Sequence, residues 1–293
     1  MDKRQFIKQS VAGAVALGTA GKMGTAFAKT NDELSAKVSA SIKRTLGKTG
    51  FEVFPVVYGG IVSSRDGQAA SDNYVACKTT IRTRVEAEKE FEESLRLLHT
   101  DYFDVFQLHS LTTSEDVDRA FAADGVIEMI EKEKQRGRIR KVGFSAHSQK
   151  QALRAMSLYE FDTVMFPINW QMDMLAKWGS GVANDAKQRG MGVIALKGLI
   201  HRKWLNEEER ETYPKSWCKP IDVGNPEMGI AALKYTFMTG ADVIIPPGDF
   251  RNFAFCVDHI DEILNEPITI KEKSLLDSEF LAVKDYPFFD PQA

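Results

Sequence analysis

Cysteine is scarce in this 293-residue chain: Cys77, Cys218 and Cys256 stand far apart, with no CxxC and no Cys/His spacing. A disulfide framework and a zinc site are both without support. No GxGxxG is present, so a Rossmann dinucleotide site is not indicated. Gly143-Phe144-Ser145-Ala146-His147 lacks the closing glycine of a nucleophile elbow. Neither sign of charge dominates: 38 Lys and Arg stand against 41 Asp and Glu, mixed along the chain. Nothing in that balance calls for nucleic acid or an anionic membrane. The basic run Arg136, Arg138, Arg140, Lys141 falls between a helix and a strand and reads as a solvated turn rather than a phosphate site. No apolar run is long enough for a stable membrane span, since Val11 to Gly21 is short and rich in Gly and Ala.

That short run belongs to a signal-like leader, residues 1–28. Asp2-Lys3-Arg4-Gln5-Phe6-Ile7-Lys8 precedes it, and Ala26-Phe27-Ala28 follows as an A-x-A cleavage pattern. The head resembles a twin-arginine signal with Lys3 in place of the first arginine. It predicts export to the periplasm; a leader retained in the cytoplasm is the alternative. Residues 29–45 are polar and read as a linker. Residues 46–293 read as one barrel domain with a C-terminal extension.

After Leu46, apolar runs of strand length alternate with stretches of helical periodicity, which favours a parallel sheet. The predicted strands are Val53 to Tyr58, Tyr74 to Thr79, Phe103 to His109, Lys141 to Ser145, Thr163 to Ile168, Gly192 to Leu196, and Asp242 to Ile245. The predicted helices are Val85 to Leu98, Val117 to Gln135, Gln149 to Leu158, Val182 to Gln188, Pro226 to Met238 and Asn252 to Leu264. The strands are apolar on both faces, as expected when helices cover the sheet. They make about seven strand–helix units, where a closed barrel of this kind has eight. The expected fold class is therefore α/β, a TIM (β/α)8-type barrel short of one unit. The deficit lies between Gly59-Gly60 and Tyr74, where the connection has room for a single right-handed crossover and not for helix, strand and helix.

The stretch Glu92 to His109 combines an amphipathic helix, a tight turn and a buried strand ending in histidine. Side chains at the C-terminal ends of barrel strands point into the active site. His109 is thereby placed for chemistry, and Lys78 ends the preceding strand in the same way.

These residues, in this order, resemble the aldo-keto reductases. The marks are Leu46-Gly47-Lys48-Thr49-Gly50 with Tyr58-Gly59-Gly60, Ala76-Cys77-Lys78-Thr79, and Ser94-Leu95-Arg96 through Leu108-His109. Gly143 to His147, Phe166-Pro167-Ile168-Asn169, and Ile245-Pro246-Pro247-Gly248 with Arg251-Asn252 complete the set. The resemblance implies an NADPH site across the barrel mouth, with NADH possible, and a small-molecule carbonyl substrate (an aldehyde, ketone or sugar-like compound). The family's tetrad is Asp, Tyr, Lys and His; Lys78 matches the lysine and His109 the histidine. For the cofactor, the matching positions are Ser145 and Asn169 at the nicotinamide, Lys197, Gly198 and Leu199 over the pyrophosphate, and Gly248, Arg251 and Asn252 at the phosphate end. The family often has Asn where Ala146 stands. His147 either joins the mouth or caps the next helix. Trp170, Trp204 and Trp217 either line the mouth or pack.

The family's Asp and Tyr belong to the unit missing here. Tyr74 lies about 13 Å along the strand from Lys78, too far for a proton relay. Tyr58 is the substitute to consider, against packing beneath the cofactor. Three readings follow: an active NAD(P)H-dependent oxidoreductase, a cofactor-binding pseudoenzyme, or an internal-deletion variant whose barrel closes poorly.

Overall fold

The computed structural model describes residues 42–57 and 74–290. The leader, most of the linker, Tyr58 and the crossover to Tyr74 lie outside the described residues. The strands in chain order are β1 (Arg44–Thr45), β2 (Glu52–Val53), β3 (Ala76–Thr79), β4 (Phe103–Leu111), β5 (Ile139–Ala146), β6 (Thr163–Pro167), β7 (Gly192–Leu196), β8 (Ile200–Arg202), β9 (Lys219–Pro220) and β10 (Val243–Ile245). Six of them form one parallel sheet in the order β10-β7-β6-β5-β4-β3. Helices follow its strands, which gives the expected α/β barrel class.

The expected strand Val53 to Tyr58 is shorter than its sequence suggested. Glu52–Val53 is drawn into an antiparallel hairpin with Arg44–Thr45. Beyond it Val56 makes a parallel bridge to Ile244, with Val57 N–H donating to Ile244 O at 2.8 Å and Ile244 N–H to Pro55 O at 2.8 Å. Pro55 has no N–H to extend the ladder. Among the described residues, the sheet therefore runs from Pro55–Val57 round to β3 and does not close between those two edges.

Local chemistry explains most boundaries. The helix Arg84–Leu98 buries Ala87, Phe91 and Leu95, spaced four apart on one face, and ends at His99 in the left-handed region. Phe91 meets Phe103 and Phe106 edge-on at 5.5 and 5.3 Å, the favoured aromatic geometry. The expected helix Val117 to Gln135 is two helices, Ser114–Ala120 and Val126–Gln135. The chain turns so tightly at Gly125 that a Cβ there would lie 2.3 Å from Ala120 O. Helices Trp170–Ala176, Glu207–Glu211 and Ile270–Val283 were not anticipated.

The N-terminal end of the sheet is plugged and neutralised. Gly47, at φ +51°, lies so close to the start of β7 that a Cβ would stand 2.2 Å from Gly192 N, and Lys48 N–H donates to Gly190 O at 2.7 Å. Three buried aspartates recur at this end. Asp104 accepts from Val75 N–H, Asp162 from Val142 N–H and Asp242 from Val193 N–H, at 2.8, 2.8 and 2.9 Å. Each also pairs with a cation: Arg140, Lys141 and Lys187 respectively. Arg136 and Arg138 pair with Glu133, and Arg138 with Glu92 as well, while Arg140 and Lys141 lie in β5 rather than in a turn, so each member of the basic run faces a carboxylate.

Candidate active site

The C-terminal strand ends form the mouth. Its floor is a polar layer set by register: Lys78 stands beside Gln107, Gln107 beside Gly143, and Gly143 beside Thr163. A Cβ on Gly143 would lie 2.1 Å from Thr163 Oγ1, so this close approach requires glycine. Gln107 Oε1 and Thr163 Oγ1 are buried with no partner among the described residues.

Lys78 reaches across the interior to Met165 on β6, its Nζ 3.1 Å from the thioether sulfur. A thioether is a weak acceptor. Among the described residues, no carboxylate forms an ion pair with Lys78, and no tyrosine hydroxyl is hydrogen-bonded to it. The side chain is exposed to the mouth, yet surrounding protein lowers its pKa by desolvation, which the neighbouring Cys77 partly opposes. An ammonium open to solvent on one side and walled by protein on the other satisfies both observations.

His109 is half-buried near the C-terminal end of β4. Arg82 holds that end in place: its guanidinium donates to His109 O at 2.7 Å and Ser110 O at 3.2 Å and faces Asp116 at 3.3 Å. Ser110 sits at φ 60°, and its N–H donates to Ser145 Oγ at 2.8 Å. Asn169 is wholly buried. Its Oδ1 caps the helix Trp170–Ala176 by accepting from Met172 N–H at 3.0 Å, while its Nδ2 has no partner among the described residues.

A second basic group of residues lies on the other side of the mouth. Lys197, at φ 63° after β7, places its Nζ 4.3 Å from the Phe288 ring centroid and 5.4 Å from that of Phe289. Phe289 stacks on His147 at 5.5 Å and on Trp178 at 5.0 Å, so the ring lies in a slot between them. His147 Nδ1 and Trp178 Nε1 are buried without partners among the described residues. Burial first, then the positive charges of Lys197 and Lys78, push the His147 pKa down to about 4. Desolvation also lowers Lys197. Ser148, not His147, caps the following helix, by accepting from Gln151 N–H. Trp178 and Phe289 escaped sequence reasoning because the slot joins distant segments; the paired Phe288-Phe289 was the available signal. Trp170 is wholly buried and donates to Ile200 O, Trp204 donates to Ser216 O, and Trp217 is exposed.

The remaining expected residues spread outward. Gly198 packs tightly, with a Cβ there 3.0 Å from Leu233, and Leu199 is wholly buried in the core. A Cβ on Gly248 would lie 2.7 Å from Lys215 O. Asn252 is buried, its Nδ2 donating to Pro247 O. Arg251 is engaged by Asp249 through Nε at 2.9 Å and NH2 at 3.0 Å, by Thr212 O at 2.8 Å, and by the Tyr213 ring at 4.0 Å. Asp249 also caps the helix Phe250–Asn265 through Arg251 N–H.

The family model for the aldo/keto reductase family matches residues 69–233. The chain is a member of that family. The matched span holds Lys78, His109, Ser145, Asn169 and Lys197–Leu199, with Gly248, Arg251 and Asn252 beyond it. Solved aldo-keto reductases share the fold. The holo form of AKR11C1 from Bacillus halodurans superposes with a TM-score of 0.58 at 16% identity, covering 86% of this chain and 99% of its own. An aldo/keto reductase from Brucella melitensis gives 0.54 at 15%, covering 82% and 100%. The glycerol dehydrogenase AKR11B4 from Gluconobacter oxydans gives 0.51 at 19%, covering 75% of each. No curated protein matches the chain. Among the described residues, no helix is long and apolar enough to cross a membrane, and no group of His, Cys, Asp and Glu is arranged to hold a metal ion.

Proposed function

We propose that the chain binds a nicotinamide dinucleotide at this mouth and reduces a small carbonyl compound slowly. The carrying observation is Asn169, a wholly buried amide whose Oδ1 is used and whose Nδ2 donor is unpartnered among the described residues. A buried donor without a partner costs about 1–3 kcal/mol, which a ligand acceptor would recover. A carboxamide oxygen is such an acceptor, and Ser145 stands at the neighbouring strand end. When bound, the dinucleotide supplies the hydride. Lys78 stabilises negative charge developing on the carbonyl oxygen, and His109 orients that oxygen. The sequence between Gly60 and Tyr74 reads as too short to carry the family's Asp and Tyr unit, and losing a general acid costs about 10²–10⁴-fold in rate.

Asp249 bears on the coenzyme. A 2′-phosphate at Arg251 would have to displace the Asp249 carboxylate, which Arg251 already holds below the usual carboxylate range. That acidic cap favours NADH over NADPH. The twin-arginine-like leader would carry such a protein out of the cytoplasm already folded.

Fluorescence titration of purified protein with NADH and NADPH, followed by a carbonyl panel, tests this reading. Tighter binding of NADH with slow turnover is expected. Turnover at ordinary family rates would show a substitute acid, and Tyr58→Phe would then locate it. No binding of either coenzyme would sink the proposal.

A further inference from the structure

We propose that Lys78 forms an imine with small carbonyl compounds, and that Lys197 favours those carrying a carboxylate. This goes beyond the reductase reading and requires no nicotinamide. Lysine is a carbonyl nucleophile when its amine is freed by desolvation or by a neighbouring cation. Lys78 meets the first, since surrounding protein desolvates it. Its Nζ rests on Met165 sulfur, a neutral partner, and no carboxylate among the described residues holds it as an ammonium. Apolar residues of the inward-facing strand ends, Ile194, Leu196 and Ile245, are partly accessible and give a small substrate a surface to lie on. The depressed pKa of His147 traces in part to both Lys78 and Lys197, which places the two cations within electrostatic reach of one group. Lys78 is nevertheless exposed, so a small molecule can reach it.

The step balances without an oxidant or reductant. The Nζ lone pair attacks the carbonyl carbon and forms the C–N bond, while the C=O pair moves to oxygen. Two protons leave nitrogen for that oxygen, the C–O bond breaks, water departs, and C=N remains. A lysine that no carboxylate among the described residues holds as an ammonium enters this sequence more readily than the ion-paired surface lysines Lys271 and Lys284.

The probe is pyruvate, which has a ketone for Lys78 and a carboxylate for Lys197, with cyanoborohydride to reduce any imine to a stable amine. Full-length protein without nicotinamide is treated briefly, and the adduct is located by peptide mapping. We expect Lys78 to be labelled on the order of tenfold faster than the exposed Lys271 and Lys284. Lys78→Arg keeps the charge and should abolish the fast adduct. Lys197→Met should slow it severalfold for pyruvate but not for acetone. Equal labelling across the surface lysines, first labelling at Lys197, or no adduct would each overturn the proposal. The wild-type map decides the matter even if Lys78→Arg folds poorly. Because no coenzyme is present, failure here is separate from failure of coenzyme binding.

Discussion

The two ends of the sheet treat charge in opposite ways. At the N-terminal end, Asp104, Asp162 and Asp242 each accept a backbone N–H and each face a cation. At the C-terminal end, Lys78 rests on a thioether, Lys197 lies over aromatic rings, and His147 is held neutral between them. The closed end is arranged for stability. Among the described residues, the mouth keeps lysines without carboxylate partners and buried polar atoms without hydrogen bonds, an arrangement that costs stability unless a ligand answers it.

The largest test of this contrast is pH. The folded-state pKa of His147 is about 4, below its ordinary 6.5. Below pH 6.5 the unfolded chain takes up a proton that the folded mouth refuses. Stability attributable to His147 is therefore whole above pH 6.5 and falls as pH drops toward 4, by about 3 kcal/mol at most. Urea unfolding of wild type and His147→Gln between pH 7 and pH 4 measures it; parallel curves would contradict a desolvated histidine. Next comes the closed end. Asp242→Ala strands Val193 N–H and should cost about 1–3 kcal/mol by urea midpoint. The same measurement on Lys78→Met should show a change within about 1 kcal/mol, of either sign, because no ion pair is lost. A large loss there would mean that Lys78 has a structural partner. The smallest effect is on coenzyme choice: Asp249→Asn should shift the NADPH-to-NADH affinity ratio severalfold toward NADPH in parallel titrations.

Much of this was legible in the sequence. β7, the helix Gln149–Leu158 and the helix Pro226–Met238 fall where apolar runs and periodicity put them. Lys78 and His109 stand near the C-terminal ends of β3 and β4, which run on to Thr79 and Leu111. Gly125 breaks a helix that periodicity alone joins, because its tight approach to Ala120 is a tertiary constraint. The aspartates carried a signal that went unread: Phe103-Asp104, Phe161-Asp162 and Ala241-Asp242 each stand at the head of an apolar run. The slot of His147, Phe289 and Trp178 joins three distant segments, and nothing local specifies it. The pairing of Arg251 with Asp249 has no signal in the sequence, since Asp249 could equally have faced solvent.

The bridge between Val56 and Ile244, and the seating of Gly47 against Gly192, join the first described segment to some of the last strands. Contacts between segments so far apart in the chain carry a large loop-closure cost, because the intervening loop must close before they bring any gain. Until β7 and β10 exist, the hairpin has no seat, and the edge that Val56 covers stands open to any other strand that reaches it first.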